Sequence, residues 1–163
     1  LTAPMEEVTE GTEVERGLAG VTASLTHADN EFLTTWGLPR FDTFQPLAPD
    51  EVTIDKYGYF AHVANLGTVS SPMSKIVLSD KGKVLSCDFD RPGNFKYVNT
   101  SMVQFATTMW RYHYVSEILV EMNQDDENFY PGLQLFWQYC CAVDHMVDLD
   151  STVSYWQGRV ETL

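Results

Sequence analysis

The chain has 163 residues, enough for one domain with a full core, and its 44% hydrophobic content excludes a disordered chain. Its net charge of −13 disfavours nucleic acid, whose phosphates it would repel, and suits a basic protein partner. No apolar run approaches the roughly 20 residues of a membrane span, and the acidic start LTAPMEEVTEGTEVERG lacks the form of a signal peptide.

Residues 1–20 carry five glutamates and few large apolar groups, so they read as a loose or partly disordered acidic lead-in to a single domain over 21–163. Thr26 or Asp29 is placed to cap a short helix through Trp36, with Ala28, Phe32, Leu33 and Trp36 on one side. Gly37 ends it and Pro39 prevents its resumption. Residues 40–53 read as loop with short extended pieces. Tyr57 to Leu66 alternates as a strand. Ser74 to Ser79 follows a Ser70-Ser71-Pro72 break, turns at Asp80-Lys81-Gly82, and pairs with Lys83 to Asp88. A turn at Arg91 to Asn94 leads to a last strand, Phe95 to Val98.

The C-terminal third is helical in pattern. Asn99 or Thr100 is the expected cap of a helix reaching Met122, with Met102, Phe105, Met109, Tyr112 and Leu119 as its buried stripe. Asn123 to Asp126 breaks it. Pro131 suits the first turn of the next helix, whose apolar face is Leu133, Phe136, Trp137, Cys140 and Cys141. A final helix over Thr152 to Glu161 turns Val153, Trp156 and Val160 inward. The order predicts an α+β fold: an antiparallel meander with a short N-terminal helix and C-terminal helices packed on it.

Catalytic patterns are missing. His27, His62, His113 and His145 are scattered, and no phosphate loop or nucleophile elbow occurs. Asp144, His145 and Asp148 could in principle touch one cation, but a metal site needs three or four convergent ligands, and the favoured reading is a helix end with surface acids. Cys140 or Cys141 with His145 has the spacing of a thiol and its base, but the apolar neighbours favour buried, inert cysteines. Asp125 and Asp126 fall in a polar loop, where solvent keeps both ionised. The expectation is therefore no enzyme, no catalytic residue, no metal and no cofactor. Cys87, Cys140 and Cys141 are odd in number and two are adjacent, so no disulfide framework is expected and a cytoplasmic setting fits.

The distribution of charge is more telling than its total. Between Arg111 and Arg159 there is no Lys or Arg, while Glu117, Glu121, Asp125, Asp126, Glu127, Asp144, Asp148 and Asp150 all fall there. The candidate partner-binding residues are Asp125, Asp126, Glu127, Asp144, Asp148 and Asp150, at the rim of a docking surface with aromatics inside it.

Four blocks carry a resemblance over about residues 26–163. They are Phe32 to Pro39 (FLTTWGLP), Ile76 to Val84 (IVLSDKGKV), Val98 to Ser101 with Met102, Phe105 and Trp110, and the tail from Asp144 to Asp150 with Ser154-Tyr155-Trp156. In their order they resemble the SUKH superfamily, which includes Syd and Knr-type proteins, and within it the fourth subgroup of bacterial immunity proteins. The resemblance implies a protein that binds a cognate polymorphic toxin domain, occludes its active site and protects the producing cell. It implies a toxin that is a nuclease, a deaminase or another enzyme, and the acidic face suits a basic one. No nucleic-acid or membrane partner is expected. The alternative is a non-enzymatic regulator or scaffold of the Knr type that binds host partners.

Overall fold

The computed structural model describes residues 2–147 and 155–163; the expectations placed on Asp148, Asp150 and Thr152 to Ser154 lie outside them. The stretch read as a lead-in contains a helical turn α1 (Met5–Val8) and a strand β1 (Glu13–Glu15). Two aliphatics hidden among the glutamates account for this, because Val8 and Leu18 are both buried. Strand β1 pairs antiparallel with β2 (Leu38–Arg40). Arg40 lies 3.3 Å from Glu13 and 3.9 Å from Glu15, which offsets part of the acid load.

Helix α2 (His27–Thr35) starts in a reciprocal capping box. The Asp29 amide donates to Thr26 Oγ1 at 3.1 Å, and the Thr26 amide donates to Asp29 Oδ2 at 2.8 Å. Ala28, expected on the buried side, is exposed, and Asp29 is buried in its place. Its second oxygen explains why: Asp29 Oδ1 accepts the Val103 amide at 2.9 Å. Pro39 does more than stop a helix, since it is buried within β2 opposite Val14.

A six-stranded antiparallel sheet follows. Strands β3 (Phe44–Pro46) and β4 (Thr53–Ile54) both pair with one side of β5 (Phe60–Thr68), and β6 (Ser71–Ser79), β7 (Val84–Asp88) and β8 (Phe95–Asn99) continue as a meander. The expected break at Ser70 to Pro72 is shorter than the sequence implied, because β6 already begins at Ser71. Pro72 sits at the strand start beside a register shift, one of the few places a sheet accepts proline. A second shift between His62 and Ala64 moves the inward set of β5 from Ala61 and Val63 to Ala64 and Leu66. On the sheet's other face Phe60 and Phe95 stack with ring centroids 4.4 Å apart. Their strands are separated by β6 and β7, so the sheet is strongly coiled.

Helix α3 (Met102–Glu121) buries all five residues of its expected stripe. Its cap is Ser101, whose Oγ accepts the Gln104 amide at 3.3 Å, and not Asn99 or Thr100. Asn99 is instead buried, and its Oδ1 accepts Trp156 Nε1–H at 2.9 Å. Helix α4 (Phe129–Val143), a 3₁₀ turn at His145–Val147 and helix α5 (Tyr155–Glu161) complete the layer. Phe105 joins the two layers, 6.0 Å from Phe44 and 6.1 Å from Trp156 between ring centroids. Each fully buried side chain of this size contributes roughly 1.5–3 kcal/mol. Trp110 and Trp156 are wholly buried, whereas Trp36 and Trp137 keep an open edge.

Candidate functional site: the acidic helical end and its apolar groove

Six of the ten basic residues, Lys56, Lys75, Lys81, Lys83, Arg91 and Lys96, fall between residues 56 and 96, on the sheet and its turns. The helical layer has only Arg111 and Arg159 to set against its acids. Arg111 is buried, and its Nε and Nη1 have no hydrogen-bond acceptor among the described residues. Arg159 lies over the Tyr112 ring, 4.6 Å from its centroid. The exposed acids therefore set the sign of this end. Glu117 and Glu121 project from the last turns of α3, and Asp125, Asp126 and Glu127 are exposed in the connection to α4. That connection is ordered by its own side chains: Asn123 Oδ1 accepts the Asp125 amide at 3.2 Å, and Asp126 Oδ1 accepts the Asn128 amide at 2.8 Å.

Asp144 is a correction to the expected rim. It is 1% exposed and closes the junction between β8 and α3 from the C-terminal end of α4. Its Oδ2 accepts the Thr100 amide and the Tyr97 hydroxyl, each at 2.7 Å, and its Oδ1 accepts Thr100 Oγ1–H and the Met146 amide, each at 3.1 Å. Burial pushes its pKa up, but the hydrogen bonds from Thr100, Tyr97 and Met146 outweigh it and hold the carboxyl below its ordinary value. A carboxylate so committed is structural. Asp148 and Asp150 lie outside the described residues.

Two depressions flank the last turn of α5. A cleft of about 790 Å³ opens between Phe41 to Thr43, the second half of α3, and α5. Asp42, Glu117 and Glu121 line it, with His113 and Arg159. His113 stacks on Phe41 with centroids 4.5 Å apart and has Nε2 3.2 Å from Thr12 Oγ1 and 3.6 Å from Glu117. On the other side of α5, a groove of about 440 Å³ is lined by Phe129, Tyr130, Leu133 and Trp137 of α4 and by Val160 and Leu163. Sequence periodicity assigned Leu133 and Trp137 to the core. Both do pack against it, yet both also face the groove, a distinction that a helical stripe does not encode. Asp42 had no local signal at all, since chain folding alone brings it beside α3.

The thiol–imidazole reading fails on burial at Cys140, whereas Cys141, expected to be buried, is half-buried. Cys140 is fully buried and its thiol is pushed far up by desolvation, so it stays protonated. Cys87 is buried too, and the three cysteines form no disulfide. Among the described residues no three His, Cys, Asp or Glu converge to hold a metal ion. Nor does any described helix have the length and apolarity to cross a membrane.

Burial lowers the pKa of both His113 and His62; for His113 nearby Glu117 partly offsets it. For His62, hydrogen bonds to Asn65 and Ala64 oppose burial while Lys75 adds to it. A lowered folded pKa means that the stabilisation is full above the unfolded histidine value of about 6.5 and is lost as pH falls below it. The melting temperature should therefore decline from pH 7 to pH 5, and His113→Asn should flatten that decline. A melting temperature constant across this window in the native protein would refute the assignment.

The α+β scaffold agrees with the class of protein that the sequence resembled, the small bacterial immunity proteins. The family model for SUKH-4 immunity protein matches residues 18–161, and the chain belongs to that family. No curated protein matches it, and no solved structure does.

Proposed function

We propose that this SUKH-4 family immunity protein binds a cognate toxin domain and neutralises it by occluding its active site, without catalysis of its own, in the cytoplasm of the producing cell. The observation that carries the reading is the acidic helical end: Glu117, Glu121, Asp125, Asp126 and Glu127 are exposed on a stretch with no Lys or Arg between residues 111 and 159. The toxin this favours is basic, as an enzyme acting on nucleic acid or nucleotides commonly is, and the acids draw it in over a distance set by ionic strength. Family membership supports the immunity role. The remaining candidate acids, Asp148 and Asp150, belong to the same stretch without Lys or Arg and remain candidate partner-binding residues.

The test uses the protein encoded beside this chain's gene. It should bind in a pull-down, and co-expression should rescue cells from its toxicity. In stopped-flow, the triple variant Asp125→Asn, Asp126→Asn, Glu127→Gln should slow association about tenfold at low salt and flatten its salt dependence, with little change in dissociation. An unchanged on-rate and salt slope would remove these acids from the interface. Absence of binding together with absence of rescue would remove the toxin-neutralising reading.

A further inference from the structure

We infer that the groove between α4 and α5 is the anchor site for the toxin, and that it takes a large apolar side chain carried on a lysine- or arginine-bearing segment. The inference rests on the toxin-binding reading above and adds where the partner is held and by what chemistry. Tyr130, Leu133 and Trp137 recur at three and four residues along α4 and so share one helix face, and Val160 of α5 stands opposite. Phe129 and Val160 are buried, whereas Tyr130 is 65% exposed, a large aromatic left at the mouth of an apolar depression. Interfaces draw most of their affinity from such clusters, where an aromatic wall closes around an inserted side chain.

Charge selects the occupant. The lining contains no Lys or Arg; its polar members are Gln124, Gln134, Gln157 and Glu161. Asp125, Asp126 and Glu127 lie between Gln124 and Phe129, both of which line the groove, and so border one end of it. A basic segment satisfies this rim, and an acidic one is repelled. The same acids disfavour a second copy of this chain docked symmetrically through this face, because an isologous contact sets one acidic patch without Lys or Arg against another. Apolar wall and acidic rim together thus specify a basic segment with an apolar anchor, laid in the groove between two helices.

The experiment measures binding of the full chain to the protein encoded beside its gene. Tyr130→Ala should weaken binding about thirtyfold, mainly through faster dissociation, with the salt slope unchanged. Gln134→Trp, at an exposed position on the groove wall, should weaken it comparably by filling the space. Leu135→Ala, exposed on α4 but outside the lining, should stay within about twofold. All three positions are solvent-facing, so melting temperatures should match the native protein and separate lost docking from lost folding. Binding that keeps its salt dependence but ignores Tyr130→Ala and Gln134→Trp overturns the groove and leaves the acidic-rim reading standing. No binding by the native chain overturns both.

Discussion

Asp144→Ala should cost about 3 kcal/mol of folding stability, because it leaves several buried neutral donors without their acceptor. The carboxylate is the shared acceptor where three elements meet: the end of β8, the entry to α3 and the exit from α4. Four donors reach it within 3.1 Å, from Thr100, Tyr97 and Met146, and Asn99 Nδ2 approaches at 3.4 Å. Alanine leaves the Thr100 and Met146 amides and the Tyr97 hydroxyl without that acceptor and opens a void beside them. Asp144→Asn keeps the shape but turns an amide NH₂ toward donors, so about half the loss should remain. Chemical denaturation at pH 7 reads both. The pH dependence supplies a second check. A folded pKa below the unfolded one stabilises fully above the unfolded carboxylate value of about 3.9, and the contribution disappears as pH falls through the folded pKa. Native and Asp144→Ala proteins should converge in that acid range and differ most near neutrality. A loss below about 1 kcal/mol at pH 7 would mean that water replaces the carboxylate at little cost.

Gly37→Ala should destabilise by about 3 kcal/mol, combining backbone strain with a steric clash. Gly37 has φ +65°, and a β-carbon there would lie 2.4 Å from the Glu15 carbonyl oxygen and 2.6 Å from Val14 Cγ1. Neither neighbour yields easily, since Val14 and Glu15 are held in the β1–β2 pair. The carbonyl of Gly37 also accepts the indole N–H of the wholly buried Trp110 at 2.9 Å, so a shift at Gly37 is felt in the core. Gly58→Ala is the control. Its φ is +73° with nothing within 4 Å of a β-carbon, so it carries strain alone and should cost about 1 kcal/mol. For a chain of this length the two variants should differ in melting temperature by several degrees. Equal losses would show that the approach of β1 relaxes freely.

Both residues show how far the sequence reached. Gly37 was legible as a helix stop because a glycine followed by Leu-Pro at the end of an apolar pattern has few other readings. That it also receives β1 was not legible, because the pairing partner is more than 20 residues away and lies in a stretch whose glutamates mask Val8 and Leu18. Ser101, Asn99 and Thr100 are all competent caps by side-chain chemistry. The choice among them was made by Trp156 and Asp144, which claim Asn99 and Thr100 from 57 and 44 positions downstream. For the candidate site, Asp125, Asp126 and Glu127 were legible as exposed because a run of acids between two helical patterns has nowhere to be buried. Asp144 looked equivalent and was not. Local chemistry gives an acid's charge, and only its neighbours in space tell whether that charge faces solvent or donors.

From its own order of residues the chain determined its class, an α+β meander with a helical C-terminal layer, and the acidic excess of that layer. Periodicity and composition are local properties, and they survive without knowledge of contacts. The tertiary structure alone decided which helical faces stay open. Leu133 and Trp137 satisfy the same apolar stripe as Phe136 and Cys140, but one pair is buried completely and the other borders the groove against α5. Burial depends on the distance between packed elements, and that distance is set by residues far apart in sequence.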